Sequence, residues 1–339
     1  MRHHRPALLL ALLLVLAGVA CTPRDMAVST CLDASNTIID APPTNVGRWP
    51  SQSLWIPDGA TVDARGSTFE DSVFDANGYA VAIKFHEITG SRHDLCVVGG
   101  TVFSTLDPEH TLWSSWHKHY GMIVLRPGYE IVGTQFRNQG DMIVFGPNAA
   151  DWSVIGVRTD GDGPGGGGPG GSGYIHDDCI ENDAMHGGLV DDSKLDGCNI
   201  FLSSQGEPID GSANTVEVRD TLVRLRPYHE SYDVAKYGND QIGGFFKWGN
   251  GGASGTPPQL YVHDSVFRAD QRAYYGGNVN GFLGLPPGTT CHDVTLVGTE
   301  AWPAADLASW TSQCTNLTLG STADWDAAVA AWDAAHPTL

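Results

Sequence analysis

The chain has 339 residues, 41% of them hydrophobic, with 39 acids against 19 bases and only 17% charged side chains. That length buries a sizeable core without help from metals, and the hydrophobic fraction excludes a chain disordered throughout. A net charge of −20, with no Lys/Arg-rich run in the body, excludes nucleic acid as a partner because no basic face is available for a phosphate backbone.

Taken in chain order, the first element is an export signal. Arg2 and Arg5 precede an unbroken apolar run over residues 7–20, shorter than the roughly 20 residues that a membrane span needs. Residues 1–20 therefore read as a signal peptide. Gly18 and Ala20 stand three and one positions before Cys21, which suits ordinary cleavage. The stretch also resembles the lipobox of bacterial lipoproteins, whose cysteine becomes the lipidated first residue, although Gly18 stands where that motif usually has Leu. Two destinations stay open: a lipid anchor on Cys21 at the cell surface, outer membrane or periplasm, or plain secretion. No later run is long and apolar enough to span a membrane. Without residues 1–20 the balance is 17 bases against 39 acids, a charge of −22. Residues 21–50, with Pro42, Pro43 and Pro50 and little periodicity, read as a tether leading into the first coil.

Beyond Cys21 there are six cysteines, an even number that suits disulfides in an oxidising compartment. Cys179 with Cys198 and Cys291 with Cys314 are the expected pairs, because each is about one structural repeat apart.

Residues 51–320 carry a recurring pattern: apolar, any, Gly or Asp, Ser or Thr, any, apolar. Its Gly/Asp positions are 66, 71, 100, 133, 156, 192, 220, 264 and 298. Each copy alternates apolar and polar residues and then meets turn chemistry, as a short half-buried strand does. Helical periodicity is almost absent. Such units predict an all-β fold, a right-handed parallel β-helix whose inward residues stack into one core. An antiparallel sandwich fits less well, since regular Asn-Gly turns are missing. Residues 321–339 hold the exception: Ser321 and Thr322 can cap a short C-terminal helix with Trp325, Ala328, Val329 and Trp332 on one stripe, expected to cover the last coil.

Functional side chains are densest between Tyr174 and Asp183, followed by His186. Clustered carboxylates repel, so one can hold a proton near neutral pH while another stays ionised, the division of labour of a general acid and a general base. Ca²⁺ is the alternative occupant, with Glu181 and Asp183 as candidate ligands. Turn chemistry is the competing structural role, since Asp and Asn side chains satisfy backbone N–H groups at corners. In a strict strand Asp177 and Asp178 point to opposite faces. For Asp191, Asp192, Asp220 and Asp264, inside the repeat, the structural role is expected.

Asp177-Asp178-Cys179-Ile180 resembles the Asp-Asp-Cys segment of β-helical polygalacturonases, and Thr159-Asp160 is similar to their Asn-Thr-Asp segment. The resemblance implies acid–base hydrolysis of a polysaccharide by Asp160, Asp177 and Asp178. His186-Gly187 stands where a Gly-His-Gly is expected, but it follows after eight residues rather than one coil and lacks the preceding Gly. Arg224-Leu225-Arg226 is a loose echo of the family's substrate clamp. The functional likeness covers about thirty residues, while the architectural likeness, to pectate-lyase-like β-helices, covers most of the chain beyond the signal. Lyases of that fold use Ca²⁺ with an Arg or Lys base, for which Arg158, Arg219, Arg224, Lys236 and Lys247 are available.

Trp113, Trp116 and Tyr120 crowd an insertion and could line a sugar groove. His117 and His119 beside them could share a strand face and ligate a metal. The glycine-rich stretch 161–173 contains a formal GxGxxG, but Pro164 and the missing helix pattern rule out a dinucleotide site. The expectation is an exported, monomeric β-helix that binds and cleaves a polysaccharide through a lateral carboxylate cluster. Its rival is a non-catalytic surface module that binds glycan or a partner through the aromatic loops.

Overall fold

The structure is a computed structural model that describes residues 23–50, 56–85, 94–107, 111–160, 174–204, 208–226, 242–249, 255–270, 274–275, 278–279 and 282–338. The signal segment and Cys21 lie outside the described residues, as does the glycine-rich stretch 161–173. No helix among the described residues is long and apolar enough to cross a membrane.

Short strands stack in parallel, one rung upon the next, into a parallel β-solenoid. The first sheet has ten strands, from Thr37–Asp40 through Tyr129–Val132 and Gly188–Asp191 to Cys314–Thr315. A second sheet runs beside it from Thr44–Val46 to Thr318–Gly320, and a third from Ala80–Lys84 to Gly244–Trp248. The long strand Lys194–Ser204 belongs to both. Its first half pairs with Leu222–Leu225 and its second half with Gly244–Trp248.

Register explains why these residues form a core. Val62, Val97, Ile131, Val154, Val190, Val218 and Val262 stand directly above one another in the first sheet. Phe69, Val102, Phe136, Thr159, Leu195, Val223, Phe267 and Leu296 do the same in the second. All fifteen are fully buried. Thr159 is the polar member, and its hydroxyl donates to the Asp196 carbonyl at 2.8 Å.

The repeated Gly/Asp marks the corner between the first and second sheets. Gly133, Gly156, Asp192, Asp220, Asp264, Asp293 and Asn316 each adopt φ between 48° and 63°, where a single left-handed residue turns the chain. Where a Ser or Thr follows, it locks the corner. Ser265 Oγ donates to the His263 carbonyl at 2.7 Å and accepts the Thr221 N–H of the rung below at 3.1 Å. Two positions of the pattern, Asp71 and Gly298, instead follow second-sheet strands. Asp293 and Asn316 escaped the pattern because Val294 and Leu317 replace the hydroxyl residue. Asp220 is exposed with φ 48°, so Asp220→Ala should cost about 1 kcal/mol in urea unfolding whereas Asp220→Gly should cost nothing.

Both ends of the described chain differ from the expectation. Residues 23–46 are built in rather than forming a tether. Helix Pro23–Cys31 packs Ala27, Val28 and Cys31 on Val98 and Val132, and strand Thr37–Asp40 pairs with Ala60–Asp63. Helix Thr322–Ala335 has the expected stripe, but it lies along the flank of the second sheet rather than over the last coil. Trp325 and Trp332 sit on Leu222 and Val297, and Trp332 Nε1 donates to the Asp192 carbonyl at 3.0 Å. Those outward apolar residues supply the partner surface that the stripe needs. Over the last third-sheet strand the core is closed by Trp302, which packs on Phe245, and by Trp310 of helix Ala304–Gln313, which packs on Phe245 and Phe267.

Three disulfides join the rungs: Cys179–Cys198 and Cys291–Cys314 as expected, and Cys31–Cys96, which ties the N-terminal helix to the first sheet. Cys291 and Cys314 are register partners on adjacent rungs.

Candidate functional site

The third sheet carries the acidic cluster. Helix Trp113–Trp116 leads into strand His119–Val124 and is held down by Trp116, which is fully buried and stacks on His176 at 3.9 Å between ring centres. His176 accepts this place as a neutral ring, its pKa pushed down to about 3 by burial. Its Nε2 lies 3.0 Å from Asn138 Oδ1. Gly140 permits the close approach, since a Cβ there would fall 1.9 Å from the Trp116 carbonyl oxygen.

This anchoring sets His117 over the strand Ile175–Glu181, with Nδ1 2.9 Å from Asp177 Oδ2. The Asp177 carboxylate raises the His117 pKa. The neighbouring rung contributes Asp141, whose Oδ1 accepts the Asp178 N–H at 3.1 Å. From the other side Lys247 Nζ reaches Asp178 Oδ2 at 3.3 Å. The register shifts between Ile175 and Asp178 against the strand Lys194–Ser204. This irregularity brings both consecutive acids into one cluster, contrary to the opposite faces of a strict strand.

Burial dominates the electrostatics. It raises Asp178 to about 7 despite the Lys247 cation, with Asp177 and Asp183 adding to the rise. Asp141 is pushed well above the carboxylate range by burial and then by the charges of Asp177, Glu181 and Asp178. Glu181 is pushed well up by burial, by Asp178 and by Asp183. The same cluster also holds two basic side chains, His117 and Lys247.

The sequence-derived candidates divide. Asp177 and Asp178 come together. The Asp160 side chain lies outside the described residues, and its backbone pairs with Asp196 while that of Asp178 pairs with Ile200. Four residues along one strand separate those positions, about 13 Å. His186 pairs with the Pro147 carbonyl through Nε2 and with Asn182 through its N–H, and among the described residues no hydrogen bond joins it to the carboxylates. Trp116 is core rather than a sugar platform, and the Trp113 side chain lies outside the described residues. Tyr120 does face this cluster: its hydroxyl donates to the His117 carbonyl at 3.2 Å and its ring meets Tyr79 at 5.6 Å.

Arg224 stands on the second-sheet strand Leu222–Leu225 and Arg226 just beyond it, tied to Asp270 and Asp196 respectively. His117 and His119 do not share a site, because His119 is buried with Nδ1 3.2 Å from Asp71 Oδ2. Glu181 and Asp183 are half-buried, and Asp183 accepts a hydrogen bond from Ser203 Oγ at 3.1 Å. The groups that come within mutual ligand distance are instead His117, Asp141 and Asp177.

Sequence reasoning missed Asp141. Its signal was an acid opening the apolar strand Asp141–Phe145, 37 residues before Asp178. Comparison with protein-family models, with curated proteins and with solved structures found no match.

Proposed function

We propose that the outer flank of the third sheet cleaves a polysaccharide, with Asp178 as proton donor and the His117–Asp177 pair directing the attacking water. The observation that supports this reading is the pairing of a carboxyl group raised to about 7 with a hydrogen-bonded imidazole–carboxylate pair in one cluster. The exposed Tyr79, packed on Tyr120, supplies an aromatic face suited to a sugar ring. On this reading the solenoid belongs with the pectate-lyase-like β-helices. It is exported, as its three disulfides suit an oxidising compartment, with Cys21 lipidated or the chain secreted.

Two rivals differ in their product. In a β-elimination Lys247, 3.3 Å from Asp178, would abstract the proton beside a uronate carboxyl and leave an unsaturated sugar end. A non-catalytic module would bind glycan through the Tyr79–Tyr120 face and release nothing. The test is a polysaccharide panel assayed for new reducing ends and for unsaturated products, with wild type and Asp178→Asn in parallel. Reducing ends that form without unsaturated products and vanish in the variant support hydrolysis. Unsaturated ends support elimination, and binding without product in both proteins supports the module.

A further inference from the structure

We propose that His117, Asp141 and Asp177 bind a first-row divalent cation of the zinc class. A ring nitrogen of His117 and one carboxylate oxygen from each acid lie within 4.8 Å of one another. Asp141 provides the independent indication. It is 1% exposed, its Oδ1 is satisfied by the Asp178 N–H, and its Oδ2 has no hydrogen-bond partner among the described residues. A buried carboxylate oxygen without a partner is costly, and either a proton or a cation must compensate it. A doubly charged ion would also offset the crowding of Asp141, Asp177, Asp178 and Glu181, against which the described cluster sets Lys247 and His117.

The donor set chooses the class of ion. Ca²⁺ takes six to eight oxygens, whereas an imidazole nitrogen favours Zn²⁺ and its first-row neighbours, and three protein ligands leave a tetrahedral ion a fourth position open. The His117 side chain is 48% exposed, which gives the ion a way in, while Asp141 forms the floor. Asp178, which donates its N–H to Asp141, and Tyr120, which donates to the His117 carbonyl, hold the ligands from behind.

This site goes beyond the glycan reading and is tested without a sugar. Metal-free full-length protein is titrated with Zn²⁺ by calorimetry, with Ca²⁺ as the control ion. One Zn²⁺ per chain is expected at this site, weakened at least roughly 100-fold by either Asp141→Asn or His117→Gln, because losing a ligand costs more than losing one of its outer-shell partners. The half-exposed His117 makes the second variant safe if the first misfolds. A second group, His263, Asp264 and His292, lies on the first sheet, with Tyr261, Glu217 and Asp293 as partners of its rings. Zinc that is lost with His292→Gln but kept in both cluster variants would overturn the proposal, as would the absence of zinc binding. Zinc bound without glycan cleavage leaves this site standing and removes the reading above, and cleavage by protein that binds no zinc does the reverse.

Discussion

Asp178→Asn should lose at least about 100-fold in polysaccharide turnover, the scale of a missing general acid, and yet melt higher than the wild type at pH 8. The two effects share one cause. In the fold the Asp178 carboxyl is raised to about 7, because burial outweighs the attraction of Lys247, against an ordinary aspartate value of 3.8. Between about pH 4 and pH 7 the folded chain therefore holds a proton that the unfolded chain has released, so stability falls as pH rises through that window. Above it the wild type carries a buried charge, whereas Asn keeps the neutral form at every pH. Melting curves of the two proteins should converge below pH 4 and separate by about 5 °C at pH 8. Asp141 and Glu181, raised in the same direction, leave a residual slope in the variant. A variant that loses stability and turnover together across the whole range would show that Asp178 is structural.

Trp310→Ala should destabilise the C-terminal half by about 3–5 kcal/mol, the range for truncating a fully buried Trp. The ring is 0% exposed and packs on Phe245, Phe246 and Phe267, while its Nε1 donates to the Leu283 carbonyl at 2.8 Å. Truncation opens a cavity, strands that carbonyl and uncovers the edge strand Gly244–Trp248. Because each rung of a solenoid leans mainly on its neighbours, the loss should be local. Hydrogen exchange should quicken in Gly244–Trp248, Val266–Ala269 and Thr295–Val297 and stay slow in Tyr129–Val132 and Trp152–Ile155. Equal loss of protection in every rung would contradict this picture.

Much of the architecture was legible because its chemistry is local. A corner needs one residue tolerant of positive φ, often with a hydroxyl beside it, and Asp192-Ser193, Asp220-Thr221 and Asp264-Ser265 spell that out within two positions. The helix Thr322–Ala335 was equally plain, since its apolar stripe and the Ser321–Asp324 hydrogen bond are short-range features. Its docking place was not, because Leu222 and Val297 become one surface only after the rungs have stacked. Trp116 shows the opposite limit. An aromatic in an insertion suits a sugar groove as well as a core, and only the stack on His176 decides between them.

The candidate site was half legible. Asp177 and Asp178 announced themselves as neighbours, but Asp141, His117 and Lys247 lie 37, 60 and 69 residues from their partners. By itself the sequence determined a chain of short stacked strands with cysteines one rung apart and an acid-rich segment within it. Only the tertiary structure decided which acids meet a histidine, which meet a lysine and which keep a buried oxygen with no partner among the described residues. The physical reason is the variable length of each rung, from 23 residues between Gly133 and Gly156 to 44 between Asp220 and Asp264. Parallel register joins residues a whole rung apart, and that distance is set by folding rather than by any fixed count along the chain.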